Sequence, residues 1–244
     1  MIEWLRAGTG DPVVDVAGRD LPIAIRRHPT AKRMTMRLAP DGSEVRITMP
    51  RWGRTVEALA FARARSVWLE RQLAKVPERA RIEHGGSLPY RGCELRIEWR
   101  RDAARSPVRE GQILTVGGPE TSVEGRVRRW MEAEALRLAG EDLAFYCQRA
   151  GLPLPQLRLT RAQRRWGSCA SQRGGGHIVR INWRLAMAPD HVRRSVVAHE
   201  VAHLVHFDHS PAFHALLGTL FEGDLNASDG WLKAHGRSLY AAFG

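Results

Sequence analysis

Apolar and polar residues alternate over three segments near the start of the chain: PIAIRRH (22–28), RMTMRLA (33–39) and EVRITMP (44–50). Successive side chains of a strand point to opposite faces, so this period of two predicts half-buried strands. Asp41-Gly42 stands between the last two as a hairpin turn. The pattern then changes. VEALAFARARSVWLERQLAKV (56–76), rich in Ala, Leu, Arg and Glu, predicts one long helix ended by Pro77. SLPYRGCELRIEWR (87–100) predicts a second hairpin turning at Arg91-Gly92, and ILTV (113–116) a further strand.

Gly117, Gly118 and Pro119 interrupt the pattern and set the expected boundary. Residues 1–118 read as an N-terminal β-rich unit with one long helix, and residues 119–244 as a second domain. Beyond the boundary, residues 121–149 predict an amphipathic helix. Its apolar face is Val127, Trp130, Met131, Ala135, Leu136, Leu138, Leu143 and Tyr146. QLRLT (156–160) and HIVRINW (177–183) read as strands separated by the turn Gly174-Gly175-Gly176. Pro189-Asp190 opens a helix reaching about Phe207, and helices at 211–221 and roughly 226–241 follow. The expected fold class is α+β.

Composition narrows the picture only a little. A chain of 244 residues, 43% hydrophobic and 26% charged, is ordinary for a globular protein and excludes a wholly disordered one. No apolar run approaches the roughly 18 residues of a membrane span. The opening MIEWLRAGTGDPVVDVAG has no basic start followed by an apolar block, so a cytoplasmic protein is the expectation. Cys93, Cys147 and Cys169 are too few and too scattered for a disulfide scaffold or a four-cysteine zinc site.

Charge matters more. The net charge is +12, almost all of it from arginine, because Lys32, Lys75 and Lys233 are the only lysines. Residues 151–200 hold nine arginines against Asp190 and Glu200. Such a field attracts polyanions, so nucleic acid is an expected partner through the basic segment 158–194. A solvated basic surface explains the same charge.

The chemistry gathers near the C-terminus, where seven of the ten histidines follow residue 190. His199-Glu200-Val201-Ala202-His203 puts two imidazoles at i and i+4, one turn apart on one helical face. Two such imidazoles can close on one zinc ion, and the intervening glutamate can act as a general base without being a ligand. The run SVVAHEVAHLVHF is apolar away from the histidines, and Glu200 within it is costly to bury without a partner. A catalytic zinc needs a third protein ligand and an open position. His209, just past the helix, is the first candidate. Glu222 on the next helix and His206 on the same helix are the others. Upstream, Arg165-Trp166-Gly167-Ser168-Cys169 reads as a strand end packed by Trp166. Cys169 reads as structural, because a metal cysteine wants a nearby partner and only His177 is close. HIVRINW is expected to be the edge strand that pairs with an extended substrate.

RWGSC (165–169), INWRL (181–185), Pro189, HEVAH (199–203) and HSPAF (209–213) together resemble the YgjP-like metallopeptidase family, which is related to the zincins. The resemblance runs from about residue 20 to 240. It implies a zincin-like domain with the metal site on a helix, following a small β-rich unit. It also implies one Zn2+ per chain held by His199, His203 and His209, with Glu200 as general base and acid. The same run is similar to that of SprT-like proteases that digest proteins crosslinked to DNA. His206 stands where a metzincin has its turn glycine, no methionine follows the site, and His214 stands where the family usually has tryptophan.

The expected activity is therefore a zinc metallopeptidase acting on proteins or peptides, including nucleic-acid-associated ones, with no membrane partner. Candidates for oxyanion or substrate contacts are Arg165, Arg164, His206 and His177. Two other readings share the same residues. One is a metal-dependent nucleotide pyrophosphatase, although Gly174-Gly175-Gly176 is not followed by the Lys-Ser/Thr of a phosphate loop. The other is a non-catalytic nucleic-acid-binding protein whose structural zinc takes a fourth ligand such as His206 or Cys169.

Overall fold

The alternation near the start of the chain becomes a mixed sheet. In the computed structural model, which describes residues 12–76, 80–163, 165–172 and 174–243, the first strands are β1 (Val13–Val16), β2 (Arg19–His28), β3 (Thr35–Leu38) and β4 (Val45–Pro50). Their order is β1-β2-β4-β3. β2 runs parallel to β4, and β3 is antiparallel to it. β1 went unread in the sequence. It is joined to β2 through Ala17 and Gly18, both at positive φ, the conformation of a two-residue hairpin turn.

The expected single helix over 56–76 is two: α1 (Thr55–Arg63) and α2 (Ser66–Leu73). No glycine or proline marks the break at Ala64-Arg65. The break lets Ala58 and Ala62 of α1 and Leu69 of α2 share one core with Val14, Leu21, Ile23, Val45, Ile47 and Met49 of the sheet.

The described residues separate into two compact units, one within 12–76 and the other within 80–243. The boundary expected at 118 falls inside the second. There β5 (Ser87–Tyr90), β6 (Cys93–Trp99), β7 (Val108–Glu110) and β8 (Ile113–Val116) form a sheet of order β5-β6-β8-β7. Its Leu88, Leu95, Ile97, Leu114 and Val116 share a core with Val127, Met131 and Leu138 of α3 (Val123–Ala150). Gly117 and Gly118 serve a tight turn, not a linker. A Cβ on Gly117 would lie 1.9 Å from the Ala103 carbonyl oxygen, and Gly118 has φ +80°. Close turns and linkers use the same residues, which is why the sequence signal misled.

A three-stranded sheet follows: β9 (Gln156–Thr160), β10 (Gly167–Ser171) and β11 (His177–Asn182), in the order β10-β11-β9. The HIVRINW strand, expected at the edge, is central. It is parallel to β9 and antiparallel to β10, with Ile181 opposite both Leu159 and Gly167. RWGSC opens one of the two edge strands, β10, and β9 is the other. α4 (Asp190–Ala202), α5 (Pro211–Leu220) and α6 (Leu225–His235) complete the unit, with α4 ending about one turn before the expected Phe207. The fold is α+β. Among the described residues, no helix is long and apolar enough to cross a membrane.

Candidate metal centre

α4 presents His199 and His203 on one face because they are four residues apart. The helix stops at Ala202, and the chain turns so that His209 returns to that face just before α5. Ser210 caps α5 by accepting a hydrogen bond from the Phe213 amide at 3.4 Å, and Pro211 occupies the first turn. This short stop-and-restart fixes the third imidazole.

The three rings converge. His199 Nε2 lies 3.1 Å from His203 Nε2 and 3.2 Å from His209 Nε2. One ligand atom from each histidine lies within 4.8 Å of the others. Three nitrogens bound tetrahedrally at zinc–nitrogen distances near 2.0–2.1 Å stand about 3.3 Å apart. The donor set therefore fits a small divalent cation. His203 Nδ1 donates to the His206 carbonyl oxygen at 2.9 Å, which leaves its Nε2 lone pair facing its neighbours. Burial, then the three histidines His203, His209 and His214, lower the pKa of His199 to about 4. Its ring is neutral and ligand-ready at pH 7.

Phe213 is the residue that sequence reasoning passed over. It is fully buried, and its ring centroid lies 4.9, 4.6 and 4.8 Å from those of His199, His203 and His209. The three imidazoles rest on this one phenyl ring. The signal was present in HSPAF, but only a structure shows what the aromatic supports.

Glu200 is 4% exposed, and its Oε2 has no hydrogen-bond partner among the described residues. Burial pushes its pKa up to about 7, opposed only by the charge of Arg165. A lone buried carboxylate poised near neutrality suits a group that takes and returns a proton. Gly167 of β10 makes the room, since a Cβ there would lie 2.3 Å from Glu200 Oε1 and 2.7 Å from its Cδ. Beside the pair runs a cavity of about 530 Å³ that also reaches Trp166, His214, Leu217 and Leu232.

The remaining expected residues are dispersed. Glu222 accepts a hydrogen bond from the Tyr146 hydroxyl at 2.8 Å and pairs with Arg194, outside the histidine cluster. His206 contributes its carbonyl, and its ring lies outside the cluster. His177 packs its ring against Phe207, with centroids 5.7 Å apart. Arg165 is exposed and acts on Glu200 through charge. Arg164 lies outside the described residues. Cys169 is outside the cluster, and burial followed by the Glu200 charge raises its thiol to about 11, so it is a neutral thiol at pH 7.

Two arginines of the basic segment, Arg184 and Arg193, are buried, and others are held by acids. Arg193 is buried between Asp142 at 2.7 Å and Asp190 at 2.6 Å, and Arg194 lies 3.7 Å from Asp142. Arg184 stacks on Trp183 and Tyr240, at 4.7 and 4.5 Å from their ring centres, and Arg161 pairs with Glu132 at 2.8 Å. Arg158, Arg165 and Arg180 have no ion pair among the described residues.

A family model described as YgjP-like, metallopeptidase domain, matches residues 32–235. No curated protein and no solved structure matches the chain.

Proposed function

The chain belongs to the YgjP-like metallopeptidase family, and from that premise we propose that it is a zinc peptidase using His199, His203 and His209 as ligands and Glu200 as proton carrier. One observation carries this reading: three imidazole nitrogens meet beside a buried carboxylate with an unpartnered oxygen. A zinc ion held there would supply Lewis-acid polarisation of a scissile carbonyl and acidify a water towards pH 7. Other first-row metals suit three imidazoles too, so zinc is chosen by ligand type and abundance.

The chain's own residues supply the rest. Glu200, with its pKa near 7, removes a proton from the attacking water and delivers it to the leaving amine. Its burial keeps bulk water from competing for that proton. The free edge of β10, Gly167–Ser171, offers backbone groups to an extended peptide. This assigns to RWGSC the role that HIVRINW cannot play from the middle of the sheet. Arg165, just before that edge and close enough to bias Glu200, is the group we assign to the developing oxyanion. The His206 ring lies outside the histidine cluster, and His177 packs on Phe207.

Neither alternative gains a specific observation. A closed structural zinc site would need a fourth ligand, and neither Cys169 nor His206 joins the cluster. A pyrophosphatase would need a phosphate cradle, and the arginines nearest α4 are held by Asp142, Asp190 and Glu222.

The test compares wild type and Glu200→Gln, each carrying one zinc per chain, on an unfolded protein substrate. Wild type should release fragments, lose activity to a chelator and regain it with zinc, while Glu200→Gln stays inactive. Fragments from Glu200→Gln at the wild-type rate would end this reading. Phosphate release from a nucleoside triphosphate without proteolysis would replace it.

A further inference from the structure

The sheet of the first unit has two unlike faces. Leu21 and Ile23 of β2 and Val45, Ile47 and Met49 of β4 point into the core beneath α1 and α2. The opposite face bears Ala24 and Arg26 on β2, Arg46 and Thr48 on β4, and Thr35 and Arg37 on β3. Strand register sets them in rows. Ala24, Arg46 and Arg37 lie side by side, and Arg26, Thr48 and Thr35 form the next row. Three guanidinium groups thus share two adjacent rows, with small or hydroxyl-bearing residues between them.

This arrangement costs stability where it stands. Arg37 lies directly opposite Arg46 in an antiparallel pair, and like charges so placed repel. Glu44, 2.6 Å from Arg46, offsets one of them. Arg26 and Arg37 have no hydrogen bond or ion pair through their side chains among the described residues. Asp15 and Asp20 are paired with each other in register at the β1 end of the sheet, four residues along β2 from Ala24. Positive charge continues past the other end. Lys32 and Arg33 are exposed in the connection to β3, and Arg51 is exposed after β4. Residues 12–76 hold thirteen Lys and Arg against six Asp and Glu.

We propose that this open face of β2, β4 and β3 is a binding surface for the phosphate backbone of double-stranded nucleic acid. A duplex presents about one negative charge per 1.7 Å of axis, so a flat cationic face can neutralise several phosphates and release their counterions. Ala24, Thr35 and Thr48 let a backbone approach closely and offer hydroxyl donors to phosphate oxygens. No aromatic ring stands among Ala24, Arg26, Arg46, Thr48, Thr35 and Arg37, and His28 at the end of β2 is tied to Thr30 through its Nδ1, so the face has no platform for stacking successive unpaired bases. Nor do those six positions hold the bulky apolar groups that would enter a lipid surface; the exposed Trp52 lies past the end of β4. Binding is therefore independent of sequence, strongly salt-dependent, and no tighter for a single strand than for a duplex. The proposal stands apart from the peptidase reading and uses none of its residues.

The experiment measures the affinity of the full chain for a fluorescent duplex of about 20 base pairs across a salt series. A single strand of equal length and vesicles containing anionic lipid run as competitors. Two double variants make the same charge change at different places: Arg26→Glu/Arg37→Glu on this face, and Arg158→Glu/Arg180→Glu on the second unit's sheet. The first should lose at least tenfold in affinity, and its log–log salt slope should shrink by about 2, close to 0.9 per lost phosphate contact. The second should lose much less. Arg26→Ala/Arg37→Ala should reproduce the loss with an unchanged or raised thermal midpoint, since it relieves the repulsion at Arg46; this guards against misfolding. Equal losses from both Glu variants would show that net charge alone binds and would overturn the proposal. So would an absence of duplex binding at low salt, or vesicles that displace the duplex through the same arginines.

Discussion

Gly167 and Glu200 are packed so closely that a Cβ on the glycine would lie 2.3 Å from the carboxylate Oε1 and 2.7 Å from Cγ. Real Cβ atoms do not approach so near, so any side chain at 167 must displace the carboxylate. Glu200 is almost fully buried and has little room to retreat. Gly167→Ala should fold and bind zinc, yet its kcat should fall at least tenfold, about 1.4 kcal/mol in barrier height. Turnover measured on protein of known zinc content decides this. A wild-type kcat would mean that Glu200 works from a different position.

The metal helix is tied to α3 by charge as well as by packing. Arg193 and Asp142 meet at 2.7 Å with side chains 4% and 6% exposed. Burial raises the Asp142 pKa while both arginines pull it down. Removing one member strands the other. Asp142→Ala should therefore cost about 3–5 kcal/mol in denaturant unfolding, and Asp142→Leu/Arg193→Met should recover most of that loss. A single variant within about 0.5 kcal/mol of wild type would show that water or Asp190 compensates Arg193 fully.

How far the sequence reached can be judged at particular residues. Short-range signals transferred well. QLRLT became β9 at its expected residues, and His199, His203 and His209 were brought together from their spacing and the Ser-Pro turn. Long-range pairing did not transfer. The alternation of HIVRINW does not say whether one neighbour or two will flank it, and β10 was legible only as the strand end RWGSC, in a segment with little apolar alternation. The boundary failed for a related reason. Gly117-Gly118-Pro119 signals a turn, while only the packing of Leu95 and Leu114 on α3 shows that the chain on both sides shares a core. The role of the basic segment was equally out of reach, because a sequence shows arginines but not the acids, Asp142 and Glu222, that meet them.

Phe213 should matter to both stability and metal binding. It is fully buried and touches all three candidate ligands through its ring. Phe213→Ala removes that floor and leaves a cavity, a change that costs about 3–5 kcal/mol in a well-packed core. Groups that orient metal ligands affect affinity by about 10–100-fold, so the variant should also hold zinc at least tenfold more weakly. Phe213→Leu should restore most of the stability and less of the affinity, because it fills volume without a flat ring beneath the imidazoles. Zinc titration with a competing chelator separates the two effects. Equal zinc affinity in all three proteins would reduce Phe213 to a core residue.

The last prediction concerns pH in the metal-free protein, where two neighbouring groups oppose each other. Burial raises the Glu200 pKa from 4.5 to about 7, so the folded state keeps a proton that the unfolded state has lost. Its contribution to stability is full below pH 4.5 and disappears as pH rises through 7. Burial and the neighbouring histidines lower the His199 pKa from 6.5 to about 4, so the folded state lacks a proton that the unfolded state binds. Its contribution is full above pH 6.5 and disappears as pH falls through 4. Each displacement corresponds to about 3 kcal/mol, and over pH 4.5–6.5 the two slopes nearly cancel. Glu200→Gln keeps the shape of the side chain and removes one of them. In a chelator, the stability of Glu200→Gln relative to wild type should therefore rise by about 3 kcal/mol between pH 4 and pH 8. Below pH 6.5 the variant alone should show the descending limb that belongs to His199. Parallel stability profiles for the two proteins would mean that Glu200 titrates as an ordinary carboxylate, and the argument for a proton carrier poised near neutrality would fall with it.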